Sequence, residues 1–452
     1  MNRPSSLILG CLMLFSPFLL KGQTHDKTEV LSKDQFEFLE GLTEAVLEAS
    51  RIYPKQFVSD EFGANNTGGL LIRPGGRNAY PSFWIRDYAM ALETGLVSLE
   101  EQKHMLLLTA HTQANQTWIT SGGSMVPVGA IADHIRIDDG LPIYFPGTYS
   151  FTAQGTDKWG SLPPYGDQFM FVHMAYMYVQ ANGGMSILSE EINGLNLIER
   201  LALAFHVPPS GLENQLVVAS EEFRGVDFGF RDAIELTGEL LYPSLLKYKA
   251  ALELSALFSI MNRPVLTDKY QRIAKTIKKN IPLFFRDDSG YLKASTGLSA
   301  QPDVWGTSLA VYLGVLEGEG LAAASKVLTE AYKKGTISYR GNIRHVPTDH
   351  DFDKNKVWEK SLVAKNTYQN GAYWGTPTGW VAYAIHQSSP ELAKQLATEY
   401  IDELKENDFR KGAAFGAPYE CFGKEGETQN PVYLTSVACP LAVFRKILGK
   451  ER

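Results

Sequence analysis

The chain has 452 residues, 44% hydrophobic and 21% charged. That is ordinary globular usage, which excludes a disordered or coiled-coil protein. A formal net charge of −7 without an evident basic stripe speaks against a nucleic-acid partner.

The N-terminus carries one Arg within Met1–Ser6, then the apolar run LILGCLMLFSPFLL at Leu7–Leu20, and turns polar after Lys21-Gly22-Gln23. A short apolar run behind a positive start predicts a signal peptide over residues 1–22, cleaved after Gly22. The protein is therefore expected to be exported, periplasmic or secreted, with residues 23–452 as one domain. Cys11 lies inside the apolar run rather than at its end, which disfavours lipidation, and Pro17 disfavours a retained anchor. No later segment approaches the roughly 18 apolar residues that span a bilayer, so no stable membrane insertion is expected after cleavage. Cys421 and Cys439 remain in the mature chain. Export permits a disulfide between them, and two buried free thiols are the alternative.

Apolar residues recurring at three and four positions predict twelve helices. They are Lys33–Ile52, Ile85–Val97, Leu99–Asn115, Gln168–Gln180, Ser186–Phe205, Pro243–Met261, Leu266–Ile281, Val304–Leu316, Leu321–Lys333, Gly379–His386, Pro390–Glu406 and Cys439–Leu448. Pro243, Pro390 and Pro440 sit near helix starts, where a missing N–H is harmless. Ser98-Leu99-Glu100-Glu101 is a capping box that divides the second helix from the third. Long and short connections alternate from Tyr53–Trp84 onward. Short turns make antiparallel hairpins, so regular alternation gathers the long loops on one side. Twelve such helices predict an all-α, closed ring of hairpins with one elaborated mouth. Asn66–Ile72 and Gly335–Val346 are the strand-like pieces, expected as loop hairpins.

Chemistry-bearing residues concentrate in the long loops. Trp84-Ile85-Arg86-Asp87 sets a guanidinium fork, a hydroxyl-accepting carboxylate and a stacking ring at a loop-to-helix junction; a local Arg–Asp pair at a helix start explains the same residues. Val226-Asp227-Phe228-Gly229-Phe230-Arg231-Asp232 places carboxyls against aromatics, and desolvation there raises a carboxyl toward general-acid range. Asp232 also reads as a turn cap; Asp227 has no such role. Glu221 and Glu222 read as a solvated face. Asn366–Trp380 is dense in amides, aromatics and glycine, suited to vicinal diols or to an Asn370-Gly371 turn. Glu420, between Tyr419 and Cys421, is either an oriented base or a buried ion-pair member. His345 and His350 read as members of a polar loop rather than metal ligands. The GxSxG elbow, the Walker loop and the dinucleotide fingerprint are missing, so no cofactor is expected.

FWIRDYAMAL, YQNGAYWGTPTGW and PYECFGKEG occur in an order that resembles the (α/α)6-toroid glycosidases, the group of glucoamylases, trehalases and processing α-glucosidases. The resemblance implies a toroid acting on an oligosaccharide or polysaccharide, with Arg86 and Asp87 holding the terminal sugar and Glu420 as the catalytic base. VDFGFRDAIELTG occupies the place of the acid but departs from the trehalase-like Glu-x-Gly-x-Asp pattern, so Asp227 and Asp232 both stand as candidates. Trp84, Asn370 and Trp374 are expected to bind sugar, with Tyr165, Asp167, Trp305, Tyr373 and Tyr419 as further candidate contacts. Members of this group mostly invert configuration. Two competing readings remain: a lyase acting across C4–C5 of a uronic acid through Tyr165, His345, Arg344 and Arg86, and a non-catalytic glycan-binding protein.

Overall fold

The computed structural model describes residues 29–450 apart from Asn78, Glu221 and Phe223. The predicted export signal, Cys11 and Glu221 lie outside the described residues.

Twelve α-helices form, each overlapping a predicted one: α1 (Lys33–Ser50), α2 (Ile85–Ala91), α3 (Leu99–Thr112), α4 (Tyr165–Gln180), α5 (Leu197–Phe205), α6 (Leu241–Ile260), α7 (Pro264–Phe285), α8 (Val304–Tyr312), α9 (Gly318–Lys333), α10 (Thr378–His386), α11 (Pro390–Glu406) and α12 (Thr435–Ile447). The even-numbered helices touch in succession, and α12 closes back onto α2. The odd-numbered helices pack outside them, with α1 bridging α11 and α12. The result is a closed double ring, six helices within six, the (α/α)6 toroid. The sequence sorts the two rings. Inner helices such as α6 and α8 are buried along most of their length, α8 without a charged residue and α6 with only Lys247, Lys249 and Glu253, whereas outer helices such as α7 and α11 carry one apolar stripe and a charged outer face. Long loops lead from outer to inner helices, so every inner helix presents its N-terminus to the same mouth.

Two expectations need correction. The predicted helix Ser186–Phe205 is interrupted: Met185–Ser189 is a 3-10 turn, and Glu191–Ile192 pairs with Leu195–Asn196 as a hairpin. Asn193 and Gly194, both at positive φ, make that turn. Asn196 and Glu199 then cap α5 reciprocally, and the joint between α4 and α5 is correspondingly long. Pro440 is interior to α12, not at its start. Proline in a helix frees the carbonyl four residues earlier, here that of Ser436, and the buried Tyr400 hydroxyl donates to it. Pro243 and Pro390 do fall in first turns, and the Ser98–Glu101 capping box is formed.

Strands occur only in the loops. The three-stranded antiparallel order β1 (Ser82–Trp84), β2 (His134–Arg136) and β3 (Pro142–Ile143) supports α2. A five-stranded sheet runs in the order β4 (Ser338–Tyr339), β5 (Asn342–Arg344), β6 (Tyr373–Trp374), β7 (Tyr419–Phe422) and β8 (Thr428–Pro431). The expected hairpin within Gly335–Val346 is therefore the edge of a larger sheet. Of Asn66–Ile72, only Leu71–Ile72 is strand, paired with Arg51–Ile52.

Tyr400→Phe removes the donor to Ser436 and leaves a buried carbonyl unpaired. It should destabilise the fold by about 1–3 kcal/mol, read as a lower urea midpoint at an unchanged slope.

Candidate active site

The mouth of the toroid holds one acidic pocket, assembled from loops far apart in the chain. Cross-strand pairing of Trp84 with His134 stacks the two rings at 4.2 Å and 19°. The same register sets Asp133, just before β2, beside α2. Arg86 and Asp87 occupy the first turn of α2, and Asp167 that of α4. The buried Arg86 guanidinium lies 3.5 Å from Asp87, 3.4 Å from Asp133 and 3.7 Å from Asp167, with the Trp84 and Phe230 rings against it. It also lies against Gly229, where a Cβ would fall 1.7 Å from Arg86 Nη1, so only glycine fits there.

Glu420 arrives on β7. Alternation along the strand sends it to the face opposite Tyr419 and Cys421, where it is 1% exposed. The Tyr80 hydroxyl lies 2.9 and 3.0 Å from its two oxygens, and Asn430 Nδ2 donates to Oε2 at 2.5 Å. Tyr433 donates to Asp87 at 2.7 Å. Tyr80, Tyr368, Asn430 and Val432 all have positive φ. Left-handed backbone is uncommon in non-glycine residues and unfavourable for a β-branched one; Tyr80, Tyr368 and Asn430 border this carboxyl.

Trp84, Arg86, Asp87, Phe230, Asp232 and Glu420 line a small pocket, completed by Pro74, Gly229, Tyr80, Tyr368 and Tyr433. Burial pushes Asp232 up to about 7; Arg86 opposes the shift and Asp133 reinforces it. Burial likewise pushes Glu420 up to about 8, against hydrogen bonds from Asn430, Tyr80 and Tyr433 and with Asp87 adding to the rise. Asp167 is held well above the carboxylate range by burial, which outweighs Arg86. Trp84 Nε1, Asp87 Oδ2 and Asp232 Oδ1 have no hydrogen-bond partner within the protein.

The structure separates the other expected site residues from this pocket. Asp227 pairs with Arg231 at 3.1 Å, and Arg231 also binds Asp303 at 2.9 Å, forming a buried ion cluster; burial, opposed by Arg231, raises Asp227 to about 6. Asp167 lies behind Arg86. Tyr165 is buried where α4 starts, packed against Gly225. Trp305 stacks on His345 at 3.8 Å, and Trp374 packs on Phe230 at 5.4 Å; both are wall residues. The Asn370 amide binds the backbone of Val357 and Val363, so the turn reading holds. Tyr373 and Tyr419 are half-buried in the sheet, each in ring contact with its neighbours. The elimination set does not assemble: His345 is buried on Trp305, and Arg344 is engaged by Asp351 and the Gly371 carbonyl. Cys421 and Cys439 are free buried thiols. Sequence reasoning missed Tyr80, Asn430, Tyr433 and Asp133, and it included Tyr368 only as part of the Asn366–Trp380 segment. Its one available signal for Asn430 and Tyr433 was their place in the loop ahead of α12.

No protein-family model matches the sequence, and no curated protein does. Solved structures match over most of the chain. Glucoamylase from Saccharomycopsis fibuligera superposes with a TM-score of 0.58 at 12% identity, over 92% of this chain and 96% of its own. The GH63 mannosylglycerate hydrolase from Thermus thermophilus, in complex with glucose, gives 0.54 at 13%, over 90% and 100%. The GH78 family rhamnosidase of a Bacillus species gives 0.54 at 10%, over 92% of this chain but 35% of the rhamnosidase. What they share with this chain is the (α/α)6 toroid.

The raised Glu420 carboxyl fixes a pH dependence of stability. The folded protein keeps this proton up to about pH 8, while the unfolded chain releases it near 4.5. Stability therefore falls as pH rises through that window. Glu420→Gln removes the penalty, so its melting temperature should exceed that of the wild type at pH 9, by roughly 2 °C or more, and the difference should shrink by pH 5.

Proposed function

We propose that this protein is an exported glycoside hydrolase that releases a terminal sugar with inversion, using Asp232 as acid and Glu420 as base. The observation that carries the reading is the meeting of these two carboxyls, each held near neutrality, in one small pocket with Trp84, Arg86 and Asp87. Paired carboxyls flanking a glycosidic bond are the minimum equipment for its hydrolysis. The shared toroid supports the same chemistry, and the signal-like N-terminus supports export.

The hydrogen-bond shells fit different roles. Glu420 faces the Tyr80 hydroxyl and the Asn430 amide, which favour an ionised base. Asp232 keeps Oδ1 unpaired within the protein, so its proton is free for the leaving oxygen. Asp232 protonates the glycosidic oxygen as the C–O bond breaks. Glu420 takes a proton from the water that attacks the opposite face of the ring. Trp84 Nε1, without a hydrogen-bond partner among the described residues, and Asp87 Oδ2, held only by the Arg86 ion pair, meet sugar hydroxyls. Arg86 is already flanked by three aspartates. A uronate would therefore meet net negative charge, which favours a neutral sugar and hydrolysis over elimination.

Asp232→Asn and Glu420→Gln should each lower kcat by about 10²–10⁴ or more while circular dichroism stays unchanged; wild-type turnover in Glu420→Gln would remove it as base. Released-sugar analysis over a panel of neutral oligosaccharides finds the substrate, and early-time NMR reads the anomer formed.

The working state holds one proton between Asp232 and Glu420. Activity should fall below about pH 7, as the second proton binds, and above about pH 8, as the last one leaves. The kcat/KM profile is then a bell centred between those values. A flat profile across that range would contradict the carboxyl pair.

A further inference from the structure

On the outer wall, the loop after α5 and one face of α7 enclose an open groove lined by Ser210, Glu213, Lys247, Lys269, Arg272 and Thr276, among others. It stands apart from the acidic pocket and shares no residue with it. The protein as a whole is acidic, yet α7 carries five basic side chains against one acidic one. Lys269, Arg272 and Thr276 recur at helical spacing, so one face of α7 points them at the groove.

Lys247 forms the floor. It projects from the inner helix α6 and is 3% exposed, and its ammonium donates to the Gln215 carbonyl at 3.0 Å. A lysine ammonium has three donors, and a buried charge is normally paired. Among the described residues, Lys247, Lys269 and Arg272 form no ion pair. Lys269 lies 3.3 Å from His206 Nε2, and Tyr270 holds the same nitrogen at 3.4 Å. His206 thereby acts as an acceptor that orients Lys269, and partial desolvation with the nearby charges of Lys269 and Lys247 lowers it to about 4. The loop is anchored over α7 by Asn280, which donates to the Asn214 carbonyl at 3.3 Å.

We infer that this groove is an oxyanion-binding site, in which Lys247, Lys269 and Arg272 converge on a sulfate, phosphate or carboxylate group. The group is either free in solution or carried on a sugar chain held along the outer wall. A guanidinium and two ammoniums around one oxyanion give charge-assisted bonds, and Glu213, the single carboxylate at the groove, limits affinity. The inference does not rest on the carboxyl pair at the mouth, so hydrolysis and anion binding are tested separately.

The test measures binding to full-length mature protein at constant ionic strength. The probes are sodium sulfate, inorganic phosphate and dextran sulfate, with uncharged dextran as control, read by calorimetry and thermal shift. The surface variant Lys269→Ala/Arg272→Ala should weaken binding at least about tenfold and leave sugar hydrolysis unchanged. Glu213→Gln should tighten it. Loss confined to dextran sulfate identifies a chain-borne anion, and loss confined to the small ions identifies a free one. If no probe binds, or if the double variant and Glu213→Gln bind as the wild type does, the site does not exist.

Discussion

The pocket is organised by one guanidinium facing more carboxyls than it can neutralise. Arg86 holds Asp87, Asp133 and Asp167 within 4 Å, and Asp232 feels the same charge. Burial disfavours every charge in the group, and a single cation offsets only part of that cost. The surplus is relieved by protonation: Asp167 is held far above the carboxylate range, and Asp232 and Glu420 near neutrality. Perturbed acids in a cleft are what acid–base chemistry requires. Removing Arg86 would unbalance the cluster rather than delete one contact. Gly229 belongs to the same constraint, since any side chain there would occupy the guanidinium's place.

The toroid makes this concentration of acid tolerable. Each long loop runs from an outer helix to an inner one, so the inner helices present their N-termini to the mouth. Helix N-termini carry partial positive charge and favour nearby anions. Asp87 and Asp167 both sit in first turns. Glu420 comes from the five-stranded sheet, whose register with Trp374 backs the pocket with a tryptophan wall.

The helices were legible because burial on one face leaves a period in the sequence. Their sorting into an inner and an outer ring was not read from the sequence; it shows in the structure as the contrast between α6, buried along most of its length, and α7, with one apolar stripe. The Asn193-Gly194 turn was also written in the chain, but the apolar run around it concealed the break. Asp232, Glu420, Trp84, Arg86 and Asp87 were found because a charge beside aromatics in a long loop has few structural excuses. Trp374, Trp305 and Tyr165 were placed in the site by the same reasoning and lie in its walls, because sequence does not say which face of a strand or helix turns inward. Tyr80 left no trace, and Tyr368, though inside the Asn366–Trp380 segment, was not picked out there; both have left-handed backbone that non-glycine residues seldom adopt.

The ordering of the two carboxyls bears on how the proposed reaction begins. Glu420 stands at about 8 and Asp232 at about 7. Both carboxyls lie near neutral pH, so the proposed working state places one proton on the pair. Substrate decides where it goes. A glycosidic oxygen beside Asp232 accepts a hydrogen bond and favours the protonated acid there. A water beside Glu420 donates one and favours the ionised base, as Tyr80 and Asn430 already do. Each contact moves the proton in the same direction. On the proposed assignment, a sugar seated in the pocket thus favours the proton on Asp232 and the charge on Glu420.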